Sequence, residues 1–336
     1  MVSHYLSITV NLKILTIFIG LSLLLLILYF SGIEEVIRIV LSSDINFILL
    51  AFLTFLLSVF LKSLRWQILL KSVKIKVPFS HAFYSFNSAM FLGNLVPFKA
   101  LEPLRGYFLK IKFGYSFSKT IPLVLTERAL DVLVYILFSL ITLRALIEFL
   151  PSFITIFAFF GMLAFFLISL SVLLILNSKK LTLKFFMLIS KLPLMKRFNR
   201  EIKRVAKNFS IGFTQLKRSN FLFKVFFLTL LIWIAEGAIF LLSARAVGVN
   251  LAFSFFALPL ISILLGVLTL IPGGLGSIEA IMVLLLSFLG FSIPQASSAV
   301  LIYRFFVHLC ENSIGAIIIL QVYSFDVVRE IMRNLK

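Results

Sequence analysis

Charged residues are scarce in this chain. Asp, Glu, Lys and Arg make up 13% of its 336 residues, about half of the ~25% found in a typical soluble domain. Hydrophobic residues make up 61% and stand in uninterrupted runs rather than in amphipathic stripes. Each run has about the 20 residues that a bilayer-spanning helix needs. The composition excludes a soluble globular protein and predicts an all-α polytopic membrane protein.

The motifs of metal, redox and nucleotide chemistry are also lacking. The chain has one cysteine, Cys310, so no intramolecular disulfide can form and no zinc or thiol–disulfide motif is present. There is no Asp-rich metal motif, no paired histidines, no nucleotide-binding loop, and no serine or cysteine beside a base. We therefore expect no cofactor, no metal and no direct use of ATP, and we do not expect an enzyme.

The hydrophobic pattern predicts six full transmembrane helices and two interrupted stretches. The six are residues 14–30, 45–61, 120–147, 153–176, 222–244 and 297–322. The first run lacks a small-residue cleavage site, which favours a retained span over a signal peptide. The stretches 79–109 and 253–290 are broken at Pro97 and at Pro272-Gly273-Gly274. Because broken backbone at membrane depth must be satisfied by protein or a cavity, each is predicted to be a re-entrant pair of half-helices.

The distribution of the formal charge, +19, predicts the orientation. If the N-terminus is cytosolic and both interrupted stretches are re-entrant, most of the 32 basic residues fall in cytosolic segments, as the positive-inside rule requires. In this topology the second span ends at Leu61, and residues 62–76 are cytosolic. We therefore expect a multi-pass protein of the cell membrane with both termini in the cytosol.

The only long hydrophilic segment, 177–221, is predicted to be cytosolic. Its second half has apolar residues at steps of three and four, with lysines and arginines on the opposite side. This is typical of a basic amphipathic helix on an anionic inner leaflet; a packed helix with a solvated basic face explains the pattern equally well. Nucleic acid is not an expected partner, since no stacking platform or base-reading motif accompanies the charge.

Two parts of the chain resemble each other within a single integral membrane domain, 1–336. Pro97 precedes Arg128 by 31 residues, and Pro272 precedes Arg304 by 32. The predicted repeats cover about residues 45–147 and 222–323. In the predicted topology the first interrupted stretch enters from the cytosol and the second from outside. An inverted repeat with broken helices is typical of transporters.

Ionisable residues fall within the predicted spans and interrupted stretches, where each charge costs at least ~2–3 kcal/mol at the bilayer centre. Helical spacing places Arg128 with Asp131, and Glu127 with Asp131, on one face, and Arg304, His308 and Glu311 on a matching face of the second repeat. We expect a central polar cluster in which Arg105 lies near Glu279. Buried ion pairs that fix helix register are the alternative.

Arginine binds phosphate through two parallel N–H donors, and a helix that begins after Pro272 would add backbone N–H groups. The predicted substrate-binding residues are therefore Arg105, Arg128, Arg304, Gly273, Gly274 and Gly276. The predicted supporting polar cluster is Glu102, Glu127, Asp131, Glu236, Glu279, Tyr303, His308 and Glu311. Lys99 is a further cation in the first break. For Glu236, both proton transfer and capping of a neighbour remain open.

At these residues the chain resembles a known family. The motifs that carry the resemblance are Arg65-Trp66, Pro97 with Glu102 and Arg105, Glu127-Arg128 with Asp131, Pro272 to Gly276 with Glu279, and Tyr303-Arg304. In order and spacing they resemble the transmembrane region of lysylphosphatidylglycerol synthase, a flippase-like family, over about residues 12–325. The resemblance implies a lipid translocase. Full-length synthases continue into a soluble aminoacyltransferase domain, and this sequence ends at Lys336, so aminoacylation is not expected.

The leading hypothesis is a flippase for a phosphate-bearing lipid, of the phospholipid or polyprenyl-phosphate type, with anionic membrane lipids as partners. One alternative is a membrane-embedded enzyme acting on a lipid phosphate, with carboxylates and His308 as acid, base or nucleophile. Another is a non-transporting membrane partner of a cytosolic lipid-modifying enzyme that docks on 177–221. A homo-oligomer is also a candidate assembly.

Overall fold

A computed structural model gives the structure of the protein. The structure describes residues 18–20, 22–96, 101–115, 117–177, 180, 181, 184, 221–269 and 271–323. It is 84% helical, with no strand in the described residues. The chain is thus an all-α polytopic membrane protein, as its composition predicts.

Eleven helices are numbered here in chain order. They are α1 (Phe18–Phe30), α2 (Ile33–Leu41), α3 (Ile45–Ser72), α4 (Phe79–Asn94), α5 (Leu104–Phe113), α6 (Ile121–Leu146), α7 (Ser152–Asn177), α8 (Phe221–Ala246), α9 (Leu258–Val267), α10 (Ser277–Phe288) and α11 (Ile293–Tyr323). Five of them, α3, α6, α7, α8 and α11, are long and apolar enough to cross a membrane. The predicted first span, 14–30, lies partly outside the described residues.

The second span is longer than predicted. Helix α3 continues to Ser72, so Lys62 and Arg65 lie inside it and are buried. The predicted end of the second span at Leu61 was wrong, because the helix continues for eleven residues beyond it. The polar residues interrupt the hydropathy of α3 but not its hydrogen-bonded backbone, since lysine and arginine are good helix formers.

Each interrupted stretch consists of two half-helices, α4 with α5 and α9 with α10, that pack against each other. The first break includes Pro97 and Lys99, which lie outside the described residues. In the second, Gly273 and Gly274 have φ angles of 64° and 62°, a region that glycine adopts without steric cost. A Cβ on Gly273 would press against the His308 ring and the Asn94 carbonyl, so the second break touches the end of α4.

The predicted repeats share one order of elements: a long helix, two half-helices and a second long helix. Their first helices, α3 and α8, pack in opposite directions. The Asp44 amide at the start of α3 donates to the Ala246 carbonyl at the end of α8 (2.8 Å). Further along α3, Arg65 donates to Thr229 (3.0 Å). The half-helix α4 packs on α11, and α9 packs on α6. This antiparallel pairing is what an inverted repeat needs; the side from which each stretch enters the membrane stays a prediction.

The last span, α11, changes its winding twice. Residues 305–310 and 319–323 are π-helical, on either side of the α-helical segment Glu311–Ile318. Such π-helical turns are rare in proteins, and those that do occur are often found at functional sites. Here they lie directly after Arg304 and directly before and after the segment that carries Glu311.

A close contact between α11 and α4 depends on Gly315. A Cβ at this position would overlap the Asn87 carbonyl of α4. We therefore expect Gly315→Ala to lower the free energy of unfolding by about 1–3 kcal/mol, the usual cost of overpacking. Thermal unfolding in detergent measures this effect. The matched control is Gly161→Ala on α7, where a Cβ meets nothing within 4 Å; equal stabilities of the two variants would contradict the prediction.

Candidate functional site

A central cavity of about 280 Å³ lies where the two predicted repeats meet. The first repeat lines it with Lys62, Arg65, Arg128 and Asp131, and the second with Glu236, Gly273, Gly274, Tyr303, Arg304, His308 and Glu311. Its remaining walls are mostly aliphatic and aromatic side chains, among them Phe86, Tyr135, Phe165, Trp233 and Ile278. The structure thus brings charged residues from both halves of the sequence to one cavity.

Arg65 is the centre of the largest ion-pair cluster. Its Nη1 donates to Asp131 Oδ1 at 2.6 Å, and its Nη2 donates to Glu127 Oε1 at 2.8 Å. Trp233 on α8 donates its indole N–H to the same Asp131 oxygen at 2.9 Å. The predicted shared face of Glu127 and Asp131 is therefore confirmed, since both carboxylates contact one guanidinium. Because Trp233 belongs to the second repeat, this cluster also joins the repeats.

Arg105 lies behind this cluster, away from the cavity. It pairs with Glu127 Oε2 at 2.8 Å and with Glu102 Oε2 at 3.4 Å. Its guanidinium also lies 4.7 Å from the Trp66 ring centroid. The expected Arg105–Glu279 contact was wrong, because each residue has a closer partner on its own repeat. Fully buried and absent from the cavity lining, Arg105 holds two carboxylates in place instead of facing a substrate.

Arg128 is the most exposed cation of the ion pairs, with 28% of its side chain accessible. Its Nε lies 2.7 Å from Glu102 Oε2, and its Nη1 lies 3.3 Å from Asp131 Oδ2. The predicted shared face of Arg128 and Asp131 is confirmed by the second contact. Among the arginines of this cluster, Arg128 is therefore the one placed to meet a ligand.

Lys62 forms a second cluster that sequence reasoning missed. Its Nζ lies 2.8 Å from Glu236 Oε1 and 3.0 Å from Glu311 Oε1, so one lysine serves two carboxylates. Ser58 donates to the same Glu236 oxygen at 2.6 Å. These contacts join α3, α8 and α11. The partners of Glu236 lie on α3, and both roles considered for it, proton transfer and capping of a neighbour, stay predictions.

Arg304 forms the third charged group. Its Nε donates to Glu279 Oε1 at 2.6 Å, and its Nη2 donates to the Gly273 carbonyl at 3.3 Å. The side chain is 12% accessible and lines the cavity with His308 and Glu311, as the predicted common face requires. Arg304 is thus the counterpart of Arg128 in the second repeat.

The glycines of the second break have two different roles. Gly273 and Gly274 line the central cavity. Gly276 is not part of its lining: a Cβ there would overlap the Gly20 carbonyl of α1. Its predicted binding role is therefore replaced by close packing between the break and the first helix.

The cations that line the cavity are paired with carboxylates, so an incoming anion has to share each cation with its carboxylate. Arg128 and Arg304 are the most accessible, and each pairs through Nε with one glutamate, Glu102 and Glu279. The remaining nitrogens have longer contacts: Arg128 Nη1 lies 3.3 Å from Asp131 Oδ2, and Arg304 Nη2 donates to the Gly273 carbonyl at 3.3 Å. An anion that replaces one of these longer contacts leaves the pair between Nε and glutamate in place. The arrangement suits exchange of an anionic group between two arginines better than permanent capture.

Comparison with known proteins gives a consistent match. Residues 14–309 match the family described as the lysylphosphatidylglycerol synthase TM region. A UPF0104 membrane protein of Methanocaldococcus jannaschii is 25% identical over 320 residues, covering 88% of this chain and 91% of that protein. One from Methanothermobacter thermautotrophicus is 24% identical, covering 85% and 87%. One from Pyrococcus horikoshii is 35% identical over 132 residues, covering 38% and 39%.

Proposed function

The chain belongs to the lysylphosphatidylglycerol synthase transmembrane-region family, and from this premise we propose that it is a lipid translocase. It moves a lipid with a phosphate-bearing headgroup, of the phospholipid or polyprenyl-phosphate type, from one leaflet to the other. It acts in the cell membrane with both termini in the cytosol. It works by binding and exchange and makes or breaks no covalent bond.

The central cavity is the observation that carries this proposal. It combines accessible arginines from both repeats with apolar walls, which matches an amphiphile that has an anionic head. Its volume, about 280 Å³, lies at the lower limit of ligand pockets, roughly 300–1,000 Å³. A site of this size takes a headgroup and leaves the hydrocarbon tails outside.

Transfer between leaflets would use Arg128 and Arg304 in turn, since each arginine keeps its own glutamate partner. A phosphate takes two N–H donors from one guanidinium in the planar geometry that arginine favours. When it leaves, Glu102 keeps Arg128 paired and Glu279 keeps Arg304 paired. No buried charge is left alone at any stage, which avoids the several kcal/mol that an uncompensated charge costs.

Transfer of a fluorescent anionic phospholipid in reconstituted vesicles tests the proposal. We expect protein-dependent transfer, reduced about tenfold or more in Arg304→Ala, since hydrogen bonds to charged groups contribute ~1.5–3 kcal/mol. Arg304→Lys keeps the charge without the planar guanidinium, so its transfer rate should lie between those of the wild-type protein and Arg304→Ala. Arg245→Ala, at the exposed end of α8, is the matched control.

Two outcomes of this experiment count against the proposal. One is the absence of protein-dependent transfer, and the other is wild-type transfer by a folded Arg304→Ala variant. Mass spectrometry of the vesicle lipids separates transport from catalysis, since a translocase leaves the lipid unchanged and an enzyme acting on the phosphate does not.

A further inference from the structure

Helix α7 lies outside both repeats and is the least buried of the five candidate spans. Only 17% of its most apolar window is buried, compared with 61% for α6. It packs on α6 and α9. On the α6 side, Ser169 donates to the Ala129 carbonyl at 2.8 Å. The α7–α9 contact has no such polar link among the described residues.

The seam between α7 and α9 is a narrow apolar groove. Four residues of α7, three of α9 and Leu268 just after α9 line it, among them Gly161 and Phe165 on α7 and Leu264 on α9. Phe165 and Leu264 also line the central cavity, so the seam continues from the cavity toward the lipid-facing side of the bundle. Its volume, about 10 Å³, is near the minimum for one water molecule (~10–15 Å³), so the structure shows the seam closed.

Opening this seam costs little in a bilayer. Separating two apolar helices in water exposes hydrophobic surface, but lipid tails are as apolar as the side chains they replace. Gly161 adds local space, since a Cβ there meets nothing within 4 Å. A hydrocarbon chain can therefore replace the α7–α9 contact without loss of a hydrogen bond or an ion pair among the described residues.

We propose that the seam between α7 and α9 holds the hydrocarbon tail of the lipid while its headgroup occupies the central cavity. Phe165 separates the two spaces when no lipid is bound. This inference rests on the proposed lipid transfer: the cavity holds a headgroup only, and the tail attached to it needs an apolar path to the bilayer. The seam is that path, because it shares Phe165 and Leu264 with the cavity.

Two substitutions with opposite expected effects test the seam. Gly161→Trp fills it and should lower transfer of a long-chain anionic phospholipid about tenfold or more, equivalent to ~1.4 kcal/mol. Phe165→Ala opens it and should raise the transfer rate. Leu167→Trp, on the same helix but 53% exposed, is the matched control and should transfer at the wild-type rate. A misfolded protein cannot give the increase, so the pair of results is specific.

Glycerol 3-phosphate, which has a headgroup phosphate and no tail, separates this inference from the proposed function. We expect Gly161→Trp to bind it with unchanged Kd in detergent. If the wild-type protein neither binds it nor transfers lipid, the proposed function fails. If Gly161→Trp transfers lipid at the wild-type rate, the seam proposal fails alone. A changed oligomeric state in Gly161→Trp with normal transfer would assign the seam to a second copy of the chain and overturn the proposal.

Discussion

Replacing Arg65 by methionine is expected to lower the free energy of unfolding by about 3–5 kcal/mol, the usual cost of breaking a buried ion pair from one side. Arg65 is 2% exposed and holds Asp131 at 2.6 Å and Glu127 at 2.8 Å. Methionine keeps most of the volume of the side chain but leaves two carboxylates with one cation fewer. Glu127 keeps Arg105 and Asp131 keeps Arg128, but both carboxylates lose a close cation while they stay buried, where an under-compensated charge is costly.

Reversible unfolding in mixed detergent measures this loss. Arg245→Met is the matched control, because Arg245 is exposed in the last turn of α8 and its loss should stay within about 0.5 kcal/mol. Arg65→Lys should be intermediate, since a single ammonium cannot face both carboxylates in the same planar way. If Arg65→Met were as stable as the control, the cluster would contribute nothing to the fold.

Lys62→Met is expected to be about as destabilising, again by about 3–5 kcal/mol, for a different reason. One ammonium lies within 3.0 Å of both Glu236 and Glu311. Its removal leaves these two carboxylates beside each other with no cation between them. Repulsion between the like charges then adds to the cost of their burial.

Restoring neutrality should recover most of this loss. The triple variant with Lys62→Met, Glu236→Gln and Glu311→Gln carries no charge at these three positions. Replacement of a whole buried ionic group by neutral residues is often tolerated. The triple variant should therefore be more stable than Lys62→Met alone. If the losses of the three single substitutions simply added, the three residues would not interact, contrary to the observed distances.

The helical membrane-protein class and the broken helices could be predicted from the sequence, because both depend on the local pattern of apolar, proline and glycine residues. Runs of about 20 apolar residues indicate spans, and Pro272 with its glycines indicates a break, which lies between α9 and α10. The charges on α6 also fell on their predicted faces, since Asp131 follows Glu127 by four residues and Arg128 by three within one helix. Local spacing is enough for such statements.

The partners across helices could not be predicted in this way. Spacing places Arg105 on one side of α5, but it does not say which neighbour that side meets; Glu127 of α6 lies there. A local signal was available in Glu102, three residues before Arg105, and these two do form an ion pair. The sequence pattern therefore favoured a contact within the first repeat over the expected one with Glu279.

Lys62 and Arg65 were assigned to a cytosolic segment because the apolar run stops at Leu61. A helical signal does continue beyond it. Leu69 and Leu70 follow Arg65 and Trp66 by four residues, as on one face of a helix, and all four are buried. A hydropathy window averages over both faces of a helix and so loses this pattern. Helical periodicity past the end of an apolar run is the better guide to buried charge.

The long sequence separation of the Lys62 cluster has a consequence for biosynthesis. Glu311 follows Lys62 by 249 residues, and Glu236 lies on α8, so neither partner has been synthesised when α3 reaches the membrane. A lysine or arginine at the centre of an inserting helix costs about 2.5–3.5 kcal/mol. Helix α3 carries Lys62 without its carboxylates until α8 and α11 follow. We therefore expect stable integration of the N-terminal half to be completed only after translation of the C-terminal half.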